Sequence, residues 1–140
     1  MKLDPSAFVA APELIQALEK HSTSISCREE RKLFTQGDIP IGLFIVNEGE
    51  TTLTMTSAKG EPVVQVQATA GSLLGLPGLV GNQPYTLTAI ACNGARLSFV
   101  SREEFASLMQ TDSRLALKIL EVLAAEVRSA RYALSNYEFQ

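Results

Sequence analysis

The stretch Leu73–Ala89 reads LLGLPGLVGNQPYTLTA. A Gly-led turn, a short helical turn over Leu76–Val80, a Gly81-Asn82 corner and an alternating strand follow one another, the rhythm of a loop shaped to cradle a phosphate. Yet the stretch holds no charged residue. The shape of an anion site is present without a cation to pair with the anion.

Outward from this loop, short strands at hairpin spacing are predicted on both sides. Leu43–Asn47 (LFIVN) is almost wholly apolar, as a strand buried on both faces would be. Glu48-Gly49-Glu50 turns the chain into Thr51–Ser57 (TTLTMTS), whose strict alternation puts Leu53 and Met55 inward and the threonines outward. Lys59-Gly60-Glu61-Pro62 makes a further turn, and Val63–Ala68 alternates Val64 and Val66 against Gln65 and Gln67. Downstream, Tyr85–Cys92 and Arg96–Val100 read as strands joined by an Asn93-Gly94 hairpin corner. Many short strands with Gly-rich turns imply a mainly β fold, a sandwich or jelly-roll barrel over about residues 25–100.

Helices flank that barrel. Ala11–Lys20 (APELIQALEK) places Pro12 and Glu13 at a helix start and Leu14, Ile15 and Leu18 on one face, a short amphipathic helix. Ser101 begins a Ser-Arg-Glu-Glu capping box with Glu104. After a break near Thr111–Asp112, a long helix runs from Ser113 towards Ser135. Its positions Ala116, Leu120, Leu123, Val127, Ala130 and Leu134 are spaced four, three, four, three, four, a heptad seam of nearly three repeats. All 140 residues are read as one domain, with the carboxy-terminal helices at about 101–136.

Composition narrows the function. A net charge of −3 supplies no basic face for nonspecific nucleic-acid binding. Arg28, Arg31 and Lys32 form the one local basic cluster, read as the polar face of a strand. Cys27 and Cys92, in expected strands and without neighbouring histidines, read as buried free thiols. His21 is the one histidine, so the two or three histidines that a barrel metalloenzyme needs are not there, nor is a Ser–His–Asp or Cys–His set. No metal, no cofactor and no catalytic activity are expected. The start MKLDPSAF lacks the order of a signal peptide, and no apolar run reaches the length of a membrane span. A cytoplasmic protein without membrane contact is expected.

Helix, jelly roll and two helices, with LFTQGD, LFIVNEGE, the Gly71-led loop and SREEF in that order, resemble the cyclic-nucleotide-binding domain over roughly residues 12–135. The chain is most similar to the sensory half of bacterial regulators of the catabolite-activator and Fnr type. Gly37-Asp38 and Gly49 match turn positions of that family's barrel, and Gly71–Ala89 falls where its phosphate-binding cassette falls. That cassette follows the pattern Phe-Gly-Glu, several residues, then Arg-x-Ala-Thr/Ser. Here Leu74-Gly75 stands at the Phe-Gly place, Leu76 where a glutamate would grip the ribose, and Tyr85, after Pro84, where an arginine would pair with the phosphate. Thr88 keeps the later threonine.

The resemblance therefore implies a fold with a degenerate cassette. A charge-assisted hydrogen bond contributes roughly 1.5–3 kcal/mol and an arginine fork makes two, so losing both grips implies about a thousandfold weaker binding or more. What remains for a ligand is backbone amides at the Leu76–Val80 turn, Thr86 and the Tyr85 hydroxyl. Gly75, Leu76, Gly78, Leu79, Tyr85 and Thr86 are the candidate pocket. Leu76 and Leu79 are expected to close the barrel mouth as core, Tyr85 to pack across the barrel, and the glycines to serve turn geometry.

By resemblance, the chain is read as a non-catalytic regulatory or sensory module that does not bind cyclic AMP in the usual way. A shift of the cassette would be permitted by Gly75 and Gly78 and coupled to the long helix through Tyr85 and Thr86. Two alternatives stand beside it: a true cyclic-nucleotide sensor using backbone amides, Tyr85 and Thr86, and a structural dimerisation or adaptor domain with a closed pocket. The heptad seam either packs on its own barrel or pairs with a second copy. The second reading is preferred, with Leu120, Leu123, Val127, Ala130 and Leu134 at a homodimer interface. The resembling regulators carry a winged helix-turn-helix after this helix, whereas here the sequence ends at Gln140, so this chain alone is expected not to bind DNA. A small-molecule ligand of unknown identity is the other expected partner.

Overall fold

The computed structural model describes residues 1–136. A 3-10 turn at Pro5–Phe8 precedes α1 (Pro12–Glu19), β1 (Thr23–Ser26), β2 (Arg31–Phe34), β3 (Gly42–Glu48), β4 (Thr51–Thr56), β5 (Pro62–Ala68) and β6 (Leu73–Leu74). Then come α2 (Leu76–Gly81), β7 (Thr88–Ala91), β8 (Arg96–Ser101), α3 (Arg102–Thr111) and α4 (Ser113–Ser135). Two antiparallel four-stranded sheets result, ordered β1-β8-β3-β6 and β2-β7-β4-β5. This is the jelly-roll-like fold that the strand pattern implies, with a short helix before it and a long one after.

The run of apolar residues in β3 has the physical cause the sequence suggested. Successive side chains point to opposite faces. Phe44 and Val46 enter the core between the sheets, with Phe34, Leu53, Leu74 and Leu97. Leu43 and Ile45 enter a second core, where Leu14 and Leu18 of α1, Phe105 of α3 and Ile119 and Val122 of α4 cover the outside of the same sheet. Each such side chain, when fully buried, contributes about 1.5–3 kcal/mol. Gly42 lets β3 lie against β8, because a Cβ there would stand 2.3 Å from the Val100 carbonyl oxygen.

Several local expectations are corrected. Asn93-Gly94 does not close a hairpin: β7 pairs with β2 and β4, whereas β8 pairs with β1 and β3. The corner carries the chain from one sheet to the other, held by Gly94 N–H to Cys27 O at 2.7 Å and Cys27 N–H to Ala95 O at 2.9 Å. The strand expected from Tyr85 begins only at Thr88, because the Tyr85 backbone is engaged with the Gly37-Asp38 turn instead. Thr51 is inward and fully buried, since it shares the parity of Leu53. Pro62 opens β5 rather than ending a turn. Cys27 and Cys92 lie just past strand ends, both free, and Cys92 is only half-buried. Arg28 lies between strands, so only Arg31 and Lys32 are exposed strand residues.

The helix signals read accurately. Ser101 caps α3 by accepting from the Glu104 N–H at 3.2 Å. The reciprocal half of the box is replaced, because the Glu104 carboxylate lies 3.2 Å from Nδ1 of His21 beyond α1. Asp112 caps α4 by accepting from the N–H groups of Arg114 and Leu115.

Candidate functional site

The loop between β6 and β7 is built by two left-handed residues and a tyrosine. β6 pairs with β3 (Phe44 with Leu74, Ile45 with Leu73), which fixes where the chain leaves the sheet. Gly75, at φ 90°, then turns it into α2. A side chain at Gly75 would be strained at that φ, and its Cβ would come within 2.8 Å of the Tyr85 ring. Asn82, at φ 53°, ends α2, and Arg102 donates to its side-chain oxygen. Gln83 N–H returns to Gly78 O at 3.0 Å. A Cβ on Gly78 would lie 2.9 Å from the Gln83 carbonyl oxygen, so both glycines serve close packing.

Tyr85 lies in the core at 3% exposure. Its ring stacks on Phe34 with centroids 4.0 Å apart. Its hydroxyl donates to Gly42 O at 2.9 Å and accepts from Ile41 N–H at 3.0 Å. Its backbone closes on the Gly37-Asp38 turn, with Tyr85 N–H to Asp38 O at 2.9 Å and Gly37 N–H to Tyr85 O at 2.8 Å. Both ends of the residue are thus satisfied within the protein. Thr88 is engaged too, its Oγ1 accepting from Gln36 N–H at 2.9 Å.

A small cavity of about 20 Å³ lies at Tyr85, lined by Phe34, Leu53, Leu74, Gly75 and, from α4, Glu126 among others. That is room for about one water molecule. Of the six residues expected to form a pocket, Gly75, Gly78, Tyr85 and Thr86 meet at this cavity. Leu76 and Leu79 do not close the barrel mouth; both are buried in the helix-side core against Leu43, Phe105 and Ile119. The register places Leu76 at the first turn of α2, where its side chain is directed to the helices and is 0% exposed.

A larger cavity of about 270 Å³ adjoins the first, sharing Phe8, Pro77, Thr86, Leu87 and Glu126 with it. It lies between the amino-terminal segment, the barrel rim and α4, and Met1, Leu3, Met55, Val64, Leu123 and Val127 complete most of its wall. Glu126 is the residue that sequence reasoning missed. It follows Ile119 by seven positions and precedes Ala133 by seven, and both of those are buried on the inner face of α4. A carboxylate interrupting that apolar stripe was the available signal. Its Oε2 is buried without a hydrogen-bond partner, and burial pushes its pKa up to about 7.

The heptad seam and the packing face of α4 coincide only in part, Leu123 of the seam packing on the helix-side core. Ile119, Val122 and Ala133 are buried. Leu120, Val127 and Leu134 are 56%, 47% and 52% exposed. Ala130 is also exposed, while Ala116 and Leu123 are half-buried. Among the described residues no three His, Cys, Asp or Glu side chains are grouped to hold a metal ion, and no helix is long and apolar enough to cross a membrane.

Comparison with known proteins agrees with this architecture. Residues 24–112 match the family model for the cyclic nucleotide-binding domain. A solved structure of the catabolite activator protein of Thermus thermophilus aligns with a TM-score of 0.77 at 23% identity, over 94% of this chain and 62% of that one. The sensor domain of the transcriptional regulator DNR from Pseudomonas aeruginosa aligns at 0.65 and 18% identity, covering 92% of this chain and 85% of that one. The amino-terminal domain of a Streptomyces coelicolor A3(2) transcriptional regulator aligns at 0.65 and 21% identity, covering 96% and 94%. The chain thus spans less than two thirds of the length of the Thermus protein. No curated protein matches the sequence.

Proposed function

The chain belongs to the cyclic nucleotide-binding domain family, and on that premise we propose that it is a non-catalytic regulatory module that does not respond to cyclic AMP. The observation that carries this reading is Tyr85. At the position where the family resemblance expects an arginine to pair with phosphate, a tyrosine is stacked on Phe34 and bonded to the β3 backbone. A cyclic nucleotide entering the barrel would have to displace that ring, break its hydrogen bonds and leave its phosphate without a cationic partner.

The module acts as a homodimer joined through α4. Supporting this, the side chains of Leu120, Val127 and Leu134 repeat at heptad spacing on a face that the chain's own barrel leaves uncovered. The adaptor alternative, with a wholly closed pocket, fits the filled barrel interior but not the second cavity beside α4. The sensor alternative that uses the Tyr85 hydroxyl is disfavoured because that hydroxyl is already engaged.

The test is a thermal-shift titration with cyclic AMP and cyclic GMP to millimolar concentration, alongside molar mass by light scattering. Ligand at a hundred times its dissociation constant would stabilise the fold by about 2.7 kcal/mol. The expected result is no shift and a dimeric mass. A saturable shift with cyclic AMP would overturn the first half of the reading, and a monomeric mass the second.

A further inference from the structure

We propose that the cavity between the amino-terminal segment, the barrel rim and α4 is a binding site for a small aromatic or aliphatic amine, with Glu126 as its counter-ion. The cavity, of about 270 Å³, approaches the size of small-molecule sites, which are mostly apolar with a few placed polar groups. Leu3, Phe8, Met55, Val64, Leu87 and Leu123 supply a hydrocarbon and aromatic wall. A strap closes one side: the Met1 ammonium donates to Val63 O at 2.9 Å and Asp4 N–H to Ser129 Oγ at 2.9 Å.

Against that wall, a buried carboxylate oxygen without a donor is costly. A side chain of this kind recovers the loss by taking up a proton or when a donor arrives, and a cationic donor recovers most. An ammonium on an apolar body satisfies both halves of the cavity, its carbon skeleton against the wall and its charge on Glu126. An anion is disfavoured by the carboxylate, and the cation of the wall, the Met1 ammonium, already donates to Val63 O. The ligand class is therefore opposite in charge to a cyclic nucleotide.

The charges of the wall agree with the geometry. The wall residues on β4 (Met55), on β5 (Val64), on the loop before β7 (Thr86 and Leu87) and on α4 itself (Leu123, Val127, Ser129 and Ala130) carry no charge. The Met1 ammonium is the other ionisable group of the wall and is engaged with Val63. With Glu126 pushed up to about 7, amine affinity should rise between pH 6 and 8 as the carboxyl ionises while the amine stays protonated.

The inference rests on the proposed function only in taking the barrel interior as closed to cyclic nucleotide. The experiment uses three probes on one naphthalene skeleton and of similar size, 2-naphthylmethylamine, 2-naphthalenemethanol and 2-naphthoate, in calorimetric titrations of the whole chain, with cyclic AMP as a fourth arm. The amine is expected to bind saturably, at least tenfold more tightly than the alcohol, and the acid not at all. In Glu126→Gln the preference for amine over alcohol should disappear, and Met55→Trp, which fills the cavity while keeping the carboxylate, should abolish both. Equal binding of acid and amine, an amine preference that survives Glu126→Gln, or no amine binding to millimolar concentration would each overturn the proposal. Cyclic AMP binding that is insensitive to both substitutions would instead overturn the closed-barrel reading and leave the amine result to be judged by its own arms.

Discussion

Tyr85 and Glu126 line the same small cavity, and each breaks a pattern for a different physical reason. Tyr85 replaces a charge with an aromatic ring and satisfies its own hydroxyl. Tyr85→Phe keeps the ring stack but leaves the Ile41 N–H without that acceptor and the Gly42 carbonyl without that donor. The expected cost is about 1–3 kcal/mol, read as a lower urea midpoint at unchanged slope. Glu126 places a carboxyl in an apolar wall, and burial raises its folded pKa from 4.5 to about 7. Between those values the folded state holds a proton that the unfolded state has released, so stability falls as pH rises across the window. The whole effect is on the order of 2–3 kcal/mol after allowance for partial solvent access. Glu126→Gln should flatten the profile and raise the melting temperature above wild type at pH 8. A parallel pH dependence in the variant would assign the effect elsewhere. That a leucine and a tyrosine stand where the family resemblance implies a glutamate and an arginine was an expectation of the sequence. The fate of these replacements was not legible there, because neither Tyr85's partners nor Leu76's burial against the helices is a local property.

At the scale of elements, the helices were read well and the strands less well. α4 runs from Ser113 to Ser135, as the break at Thr111–Asp112 and the apolar spacing implied, and Asp112 caps its start, since a cap acts within four residues of itself. Asp112→Ala removes the acceptor of two N–H groups and should lower stability by about 1 kcal/mol in chemical denaturation. The Asn93-Gly94 corner shows the opposite case. Its turn chemistry is local and real, with Gly94 at φ 88°, but whether the flanking strands pair is settled by β1 and β3, which flank β8 in its own sheet. β3 was legible as a strand buried on both faces, yet the reason Gly42 opens it lies in β8. Gly42→Ala drives a Cβ into the Val100 carbonyl oxygen, with Val100 paired to Leu43 in the ladder. It should reduce the soluble folded yield and, where protein survives, expose the helix-side core to a hydrophobic dye.

For the whole molecule, the decisive feature is that α4 serves three surfaces at once. Its inner stripe closes the helix-side core, its heptad stripe leaves Leu120, Val127 and Leu134 exposed, and Leu123, Glu126, Val127 and Ala130 border the cavity beside the rim. Leu123, Val127 and Ala130 belong to both the seam and the cavity wall, so an occupant of the cavity would touch residues that the proposed dimer uses. Replacing the exposed Leu120, Val127 and Leu134 together by lysine should halve the mass in light scattering while leaving the melting temperature within a few degrees at equal protein concentration. A dimer that persists would place the interface elsewhere. An unfolded protein would mean that the stripe belongs to the chain's own core.

The sequence by itself determined what depends on neighbours along the chain: strand and helix periods, caps, the uncharged cassette and the heptad spacing. Those features were sufficient for the family fold, because alternating and heptad patterns each fit few ways of burying an apolar face. Only the tertiary structure decided which cavity is open. Leu76 turning to the helices, Tyr85 filling the barrel and Glu126 facing an apolar wall all depend on what arrives from tens of residues away. A packed interior assigns each side chain to a single place, and that assignment is a property of the assembled surfaces rather than of any one stretch.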